Sequence, residues 1–262
     1  MDAANCVACG RPLKPEAAFC SACGHRRGDP TVDRAALARA RAEKLRRIES
    51  GWSGIRSVIL LYLLLLGGIG LTFLVRNASD EFTAEVVGCA AIGGIVIVAA
   101  LLDREALKNC TRSAGFSWRG YAALFIASIP IVLVVHAYVG GVHRLFRLRP
   151  GPELSAFTGR GPAWAFLLYA VSPAIFEELG FRGVIFGLLR RSLDPRESIL
   201  LSGAAFGILH LSVPSLITHV PLGLYLGWLR HRSGSLYPSM AAHFLHNALV
   251  VAGTTWSLLP GS

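Results

Sequence analysis

The feature that most constrains this chain is a series of long apolar runs that fills residues 57–257. An α-helix needs about 20 apolar residues to cross the hydrocarbon of a bilayer. Seven runs approach or exceed this length, over residues 55–75, 84–102, 120–140, 162–190, 197–211, 214–229 and 236–257. We therefore predict an all-α polytopic membrane helix bundle with about seven spans, give or take one.

The polar residues are concentrated outside these runs. Only 16% of the residues are charged and the mean hydropathy is +0.52, whereas a soluble domain carries about 25% charged residues. Nine of the 26 basic residues lie between Arg26 and Arg56. A basic segment before a span is typical of a cytoplasmic end that contacts anionic lipid. We predict a multi-pass protein of the bacterial inner membrane with a cytoplasmic N-terminus, and nucleic acid is disfavoured as a partner.

One segment departs from the positive-inside pattern. Residues 141–161 carry four arginines on the predicted outer side, namely Arg144, Arg147, Arg149 and Arg160. Either this segment is an interfacial helix or the count of spans is wrong by one, and both alternatives stay open at this point.

The N-terminus carries two Cys-x-x-Cys-Gly sequences, Cys6 to Gly10 and Cys20 to Gly24. Two such knuckles separated by ten residues are typical of a zinc ribbon, in which four thiolates bind one tetrahedral ion. A segment this short cannot bury a core, so the metal supplies its folding energy. We predict a structural zinc held by Cys6, Cys9, Cys20 and Cys23. Disulfides are the alternative, and they would require an oxidising compartment.

The predicted organisation has four parts. They are a zinc ribbon over 1–28, a basic juxtamembrane helix or linker over 29–54, two transmembrane helices with a cytoplasmic loop over 55–118, and a core bundle over 119–258. The ribbon is a candidate docking surface for a cytoplasmic protein partner.

Ionisable residues inside three of the last four runs point to a functional site, because they are costly in hydrocarbon. Glu177-Glu178-Leu-Gly-Phe-Arg182 lies in the fourth run. Glu178 and Arg182 are four residues apart and can pair, which leaves Glu177 about 100° away on the helix. A structural salt bridge would explain Glu178 and Arg182 but not Glu177.

The other polar residues stand on two further helices. Phe206-Gly-Ile-Leu-His210 ends the fifth run, and His243-Phe-Leu-His246-Asn247 lies in the seventh. Alone, each could be a packing or hydrogen-bonding residue. Together, a Glu, a His and a His/Asn pair on three helices of one bundle supply a base, a proton carrier and oxyanion donors for hydrolysis.

These three motifs resemble those of the CPBP family of intramembrane proteases, also known as the Abi or CAAX prenyl protease type II-like family. The family patterns Glu-Glu-x-x-x-Arg, Phe-x-x-x-His and His-x-x-x-Asn all match, in order, and the resemblance covers about residues 120–257. It implies an endopeptidase that cleaves a membrane-associated protein or peptide. It also implies that Glu177 and His210 activate water, that His243 and Asn247 stabilise the oxyanion, and that Glu178 and Arg182 position the site.

The resemblance favours catalysis without a metal. A catalytic zinc held by Glu177, His210 and His243 stays possible, because two histidines and a glutamate are a known ligand set. Two functions of other classes also stay open. One is a non-catalytic membrane scaffold, such as a bacteriocin self-immunity protein. The other is a transporter, since buried Glu and His also form proton relays, although the halves of the chain show no internal repeat.

Overall fold

A computed structural model of the chain describes six stretches, namely residues 5–6, 8–14, 16–26, 34–104, 117–146 and 160–256. Two compact units are present, Met1–Ser53 and Gly54–Ser262, and each is described by itself. The finer predicted boundaries between the parts of the chain stay predictions. The question raised by residues 141–161 falls largely on residues 147–159, which lie outside the described stretches.

Seven long helices occupy the described part of the chain, at the places that the apolar runs predict. They are α1 (Arg34–Ala78), α2 (Glu81–Leu102), α3 (Trp118–Phe146), α4 (Pro162–Leu189), α5 (Pro195–Leu209), α6 (Val213–Ser233) and α7 (Tyr237–Trp256). Within the described residues there are isolated β-bridges but no β-strand. The predicted all-α bundle is confirmed.

Four helices are long and apolar enough to cross a membrane by length and composition. They are Gly51–Ala78 within α1, the whole of α2, Trp118–Val142 within α3, and α4. The other three of the described helices fall short for physical reasons. Helix α5 has 15 residues and rises only about 22 Å, while polar side chains lower the hydropathy of α6 and α7. The predicted seven runs therefore correspond to seven helices, of which four have the length and composition of membrane spans.

Local sequence signals set the ends of these helices. The Asp80 side chain accepts a hydrogen bond from the Thr83 amide and thereby caps α2. Asp194 and Glu197 form a reciprocal capping box at the start of α5, with Pro195 in the first turn, as expected for a strong N-terminal signal. Helix α6 ends at Gly234, which has a φ of 67° in the left-handed region that glycine adopts without strain.

The core of the membrane unit lies where α1, α2, α4 and α5 meet. Buried apolar side chains from all four helices form one cluster, which includes Leu65, Val96, Phe181, Ile185 and Phe206. Lipid tails are as apolar as these side chains, so close packing and internal hydrogen bonds favour the bundle. This cluster forms one wall of the candidate site described below.

Glycines bring α5 and α6 into close contact. Each helix carries two glycines four residues apart, Gly203 with Gly207 and Gly223 with Gly227. A Cβ atom placed on Gly223 would lie 2.6 Å from the Gly203 carbonyl oxygen. Only glycine permits this approach, which is a known device for packing membrane helices.

The N-terminal unit contains two knuckles with the same hydrogen bonds. The Gly10 amide donates to the Cys6 carbonyl over 2.8 Å, and the Gly24 amide donates to the Cys20 carbonyl over 2.7 Å. Both glycines have a positive φ, 74° and 72°, which explains why each knuckle ends in glycine. The repeated sequence therefore folds into a repeated turn, and each turn presents two thiols.

Candidate active site

The buried pair of Glu178 and Arg182 anchors the site in α4. Arg182 Nη1 donates to Glu178 Oε1 over 2.8 Å, and both side chains are fully buried. This is the pair that the four-residue spacing predicts. Glu178 ends an α-helical stretch, and Arg182 lies in the π-helical stretch Leu179–Ile185 that follows. Widened turns of this kind are frequent at functional sites.

Arg182 connects three helices to the site. Its Nη2 donates to the Gly223 carbonyl of α6 over 3.0 Å. Its guanidinium carbon lies 4.4 Å from the ring centroid of Phe206 in α5, within the range of a cation–π contact. The close approach of α5 and α6 at their glycines therefore also places the two groups that hold the arginine.

His243 of α7 lies between the two glutamates. Its Nδ1 is 3.1 Å from Glu178 Oε1, and its Nε2 is 3.9 Å from Glu177 Oε2. A carboxylate only accepts hydrogen bonds, so Nδ1 carries the proton in that contact. On the neutral ring, Nε2 then has a free lone pair that faces Glu177.

Glu177 has surroundings unlike those of its neighbour. Its side chain is 27% exposed, whereas that of Glu178 is fully buried. It lines a cavity of about 200 Å³ together with His210. The two carboxylates, adjacent in sequence, therefore differ in position: Glu178 is held within the bundle and Glu177 faces open space.

His210 follows the last residue of α5 with its ring fixed at one nitrogen. Its Nδ1 lies 3.0 Å from the Phe206 carbonyl oxygen. A carbonyl only accepts, so Nδ1 is the protonated nitrogen and Nε2 of the neutral ring has a free lone pair. The spacing of the Phe-x-x-x-His motif thus has a structural reason, since it allows the histidine to bond the carbonyl four residues earlier.

A histidine that the sequence analysis missed lies beside His210. The ring of His219 in α6 is 3.8 Å from that of His210, centroid to centroid. Its Nδ1 lies 2.9 Å from the Ser215 carbonyl oxygen. The available signal was an ionisable residue inside the sixth apolar run, and it was not singled out because it belongs to none of the three motifs.

The two other polar residues of α7 face different surroundings. Asn247, one turn after His243, is half-buried, and within the described residues its side chain makes no hydrogen bond. His246 lines a separate small cavity with side chains of α3 and α6. The sequence predicts His246 near the site, whereas its side chain lines this second cavity and not the one beside Glu177 and His210.

The cavity beside Glu177 and His210 is otherwise apolar. Its walls come from α1, α2, α4 and α5, and they include Leu65, Ile92 and Phe176. An apolar cavity of about 150 Å³ is large enough to bind benzene. A space of about 200 Å³ therefore fits one large apolar side chain.

The described residues do not form a catalytic metal site of the His₂Glu type. Among the described residues, the ligand atoms of Cys6, Cys9, Cys20 and Cys23 lie within 4.8 Å of one another, and no other group of three or more His, Cys, Asp or Glu side chains there is as close. Glu177 and His243 approach to 3.9 Å, but together with His210 they do not form such a group. We therefore derive no step through a metal in the membrane unit.

The four cysteines fit a tetrahedral ion. Cys6 and Cys23 have their sulfurs 3.7 Å apart, and Cys9 and Cys20 have theirs 3.6 Å apart. Zinc–sulfur bonds of about 2.3 Å in a tetrahedron place the sulfurs about 3.8 Å apart. All four thiols are free of disulfides. The cluster can bind a metal such as zinc.

Backbone geometry prepares this cluster for a cation. A hydrogen bond from the Ala22 amide lowers the pKa of the Cys20 thiol from 9.0 to about 7. Thiolate is the form that ligates metals. Burial and the other thiols raise the pKa of the neighbouring Cys23 to about 12, so Cys20, and not Cys23, gains thiolate character before a metal binds.

Comparison with known proteins finds a family similarity within the membrane unit. Residues 159–249 match the Rce1-like family, described as type II CAAX prenyl endopeptidase Rce1-like. This segment, about a third of the chain, is similar to that family. It contains all three motifs, so the resemblance predicted from them is confirmed. At the level of the family it supports a membrane CAAX-type endopeptidase, and together with the apolar helices it supports a multi-pass membrane protein.

Two curated proteins are distantly similar to the chain. It is 26% identical to the "Putative membrane peptidase YdiL" of Bacillus subtilis (strain 168) over 170 residues, which are 63% of this chain and 67% of the relative. It is 27% identical to the "UPF0177 protein YaiH" of Lactococcus lactis subsp. lactis (strain IL1403) over 133 residues, which are 48% of this chain and 55% of the relative. No solved structure matches the chain significantly.

Proposed function

We propose that this chain is an intramembrane endopeptidase that hydrolyses a peptide bond of a membrane-associated protein or peptide with water activated by Glu177 and His210. The observation that carries the proposal is that these two side chains line one cavity. One is a carboxylate with open space before it, and the other is an imidazole whose Nδ1 is occupied by a backbone carbonyl. Both can accept a proton from a water molecule between them.

The chemistry follows from the hydrogen-bond roles. The water attacks the scissile carbonyl carbon as its proton passes to Glu177 or to His210 Nε2. The carbonyl π electrons move to oxygen and form a tetrahedral oxyanion. On its collapse the C–N bond breaks, and the accepted proton passes to the leaving amine. The water's second proton remains with the new carboxyl group until that group ionises.

The oxyanion has two candidate donors on α7. The Asn247 amide donates without a change of protonation. His243 Nε2 can donate only on a ring that carries both protons, because Nδ1 already donates to Glu178. Asn247 is therefore the simpler donor, and one such donor contributes about 10²–10³ in rate.

The remaining assignments are part of the same proposal. Glu178 and Arg182 position His243 and α4. The ribbon holds a structural zinc and offers a surface to a cytoplasmic protein. The basic segment over 29–54 contacts anionic lipid. The protein lies in a bacterial inner membrane with its N-terminus on the cytoplasmic side. If successive helices cross the membrane in alternate directions, the arginines at several helix ends fall on the same side as the N-terminus, which supports this orientation. They are Arg104, Arg119, Arg190, Arg191, Arg196, Arg230 and Arg232.

The test uses the purified full chain in detergent with a library of membrane-anchored peptides, and cleavage is read by mass spectrometry. Glu177→Gln and His210→Ala are expected to lower kcat by about 10²–10⁴-fold. Asn247→Ala is expected to lower it by about 10²–10³-fold. His246→Ala, on the same helix but lining the other cavity, is the matched control and is expected to keep its activity. Full cleavage by Glu177→Gln would refute the mechanism. A Glu177→Gln variant that keeps full biological effect in cells would favour the scaffold function.

A further inference from the structure

His219 lies outside all three motifs, yet its ring is one of the groups closest to His210. The two ring centroids are 3.8 Å apart and the planes are inclined by 36°. His219 is half-buried in the first turns of α6. The turn that brings the rings together includes Leu211, which has a φ of 51°. A bulky residue rarely adopts this conformation, and strain of this kind is concentrated at functional sites.

Both rings are fixed in the same way. His210 Nδ1 donates to the Phe206 carbonyl, and His219 Nδ1 donates to the Ser215 carbonyl, in each case four residues earlier. Thr218 Oγ1 lies 3.1 Å from the same nitrogen of His219. His219 therefore has a defined orientation of its own and presents its ring face to His210.

His210 needs such a neighbour because its side chain is exposed. One hydrogen bond at Nδ1 fixes a single contact of the ring. The Phe206 ring lies against it at a centroid distance of 5.1 Å, and the face of His219 covers another part. Without His219, rotation of the His210 ring would break its Nδ1 bond and change the direction of Nε2.

We propose that His219 is a positioning residue for His210, acting through its ring face. The inference rests on the proposed function, in which His210 Nε2 accepts a proton from water. Stacking holds Nε2 towards the cavity before the reaction. After proton transfer, the neutral ring of His219 keeps the same contact with the His210 imidazolium and holds it in place. The face of the ring is needed for this role, and ionisation of His219 is not.

The kinetic test compares His219→Ala with His219→Phe in the full chain. The alanine variant loses the face and is expected to lower kcat by about 10- to 100-fold with little change in KM, the size of effect that follows loss of alignment. The phenylalanine variant keeps a face and is expected to recover most of kcat. His231→Phe, at an exposed position of the same helix, is the matched control. Equal damage by alanine and phenylalanine would overturn the role of the face.

A spectroscopic test does not depend on cleavage. Histidine labelled with ¹⁵N reports which ring nitrogen of His210 carries the proton. We expect the Nδ1–H form in the wild type and in His219→Phe, and a mixture of both forms in His219→Ala. An unchanged His210 in His219→Ala would overturn the inference. The expected pattern in a wild type that cleaves no peptide would uphold the inference while the proposed function fails.

Discussion

Two glutamates that are neighbours in the sequence have separate tasks at the residue scale. Glu178 is fully buried and is bonded to Arg182 and His243. Glu177 faces a cavity and has His243 Nε2 3.9 Å away. A helix turns about 100° per residue, so adjacent positions face different helices. Helix α4 therefore holds the Glu178 carboxylate inside the bundle and directs the Glu177 carboxylate towards the cavity.

The first prediction concerns the buried ion pair. Arg182→Met leaves Glu178 without its cation inside the bundle, and we expect it to destabilise the folded protein by about 3–5 kcal/mol. The double variant Glu178→Gln/Arg182→Met removes both charges and is expected to cost less. Unfolding by SDS titration, followed by circular dichroism, measures both. A single variant as stable as the wild type would contradict the assignment of this pair as the anchor of α4.

The close approach of α5 and α6 acts at the scale of the element. Gly223 touches the Gly203 backbone and its carbonyl accepts a hydrogen bond from Arg182. The same contact that packs the two helices thus holds the arginine of the site. His210 and His219 lie at the ends of these helices where the chain turns, so their stacking depends on the same pairing.

The second prediction tests this contact. Gly223→Ala forces α5 and α6 apart, and we expect a loss of stability of about 1–3 kcal/mol together with reduced cleavage. Gly227→Ala is the matched control, because a Cβ atom there would lie 3.4 Å from an Ile199 methyl carbon, which is an ordinary contact. Thermal unfolding and peptide cleavage are measured for both. Similar behaviour of the two variants would show that the approach at Gly223 is not required.

The third prediction concerns the cavity wall contributed by α2. Ile92→Trp fills the space beside Glu177 and His210. We expect cleavage of peptides with a large apolar residue next to the scissile bond to fall at least tenfold, since changes of this size in an apolar pocket alter kcat/KM by about 10–200-fold. Peptides with Gly or Ala there keep their rate. Ile97→Trp, on the same helix but exposed, is the control. An equal loss of cleavage on all peptides would show that this cavity does not bind the side chain next to the scissile bond.

At the scale of the whole molecule, the chain has two compact units with different sources of stability. Among the described residues of the N-terminal unit, the buried cluster consists of three side chains, two of them cysteines, and we expect a unit with so small a core to depend on a bound metal for its folding. The membrane unit has an extensive core shared by four helices. Removal of the metal is therefore expected to affect the first unit and to leave the second folded.

The fourth prediction uses a chelator and pH. Chelation is expected to release one zinc per chain and to unfold the ribbon, while peptide cleavage by the membrane unit continues. At limiting zinc, uptake is expected to weaken as the pH falls through about 7, where the Cys20 thiolate is protonated. Because folding lowers the pKa of Cys20 from 9.0 to about 7, its thiolate stabilises the folded ribbon above pH 9.0, and this stabilisation is lost as the pH falls through about 7. Metal analysis measures the zinc content, circular dichroism the folding of the ribbon, and mass spectrometry the cleavage of peptides. Cleavage abolished by the chelator would favour a catalytic metal.

The sequence alone was informative where a pattern depends on local geometry. Apolar runs gave the helices, because length and hydropathy decide what can lie in a bilayer. The spacing of the cysteines gave the cluster that can bind zinc, and the four-residue spacing of Glu178 and Arg182 gave their pair. Each of these depends on one segment, or on two short segments that present the same turn.

Only the tertiary structure decided how the separate helices share the site. That His243 donates to Glu178, that Gly223 accepts from Arg182, and that His219 stacks on His210 all depend on how α4, α5, α6 and α7 cross. Spacing within a helix carries no information on such contacts, because they are fixed by close packing and by the glycines that permit it. The sequence by itself determined a membrane bundle with a cysteine cluster and three polar motifs, and the packing decided which side chains of those motifs face one another.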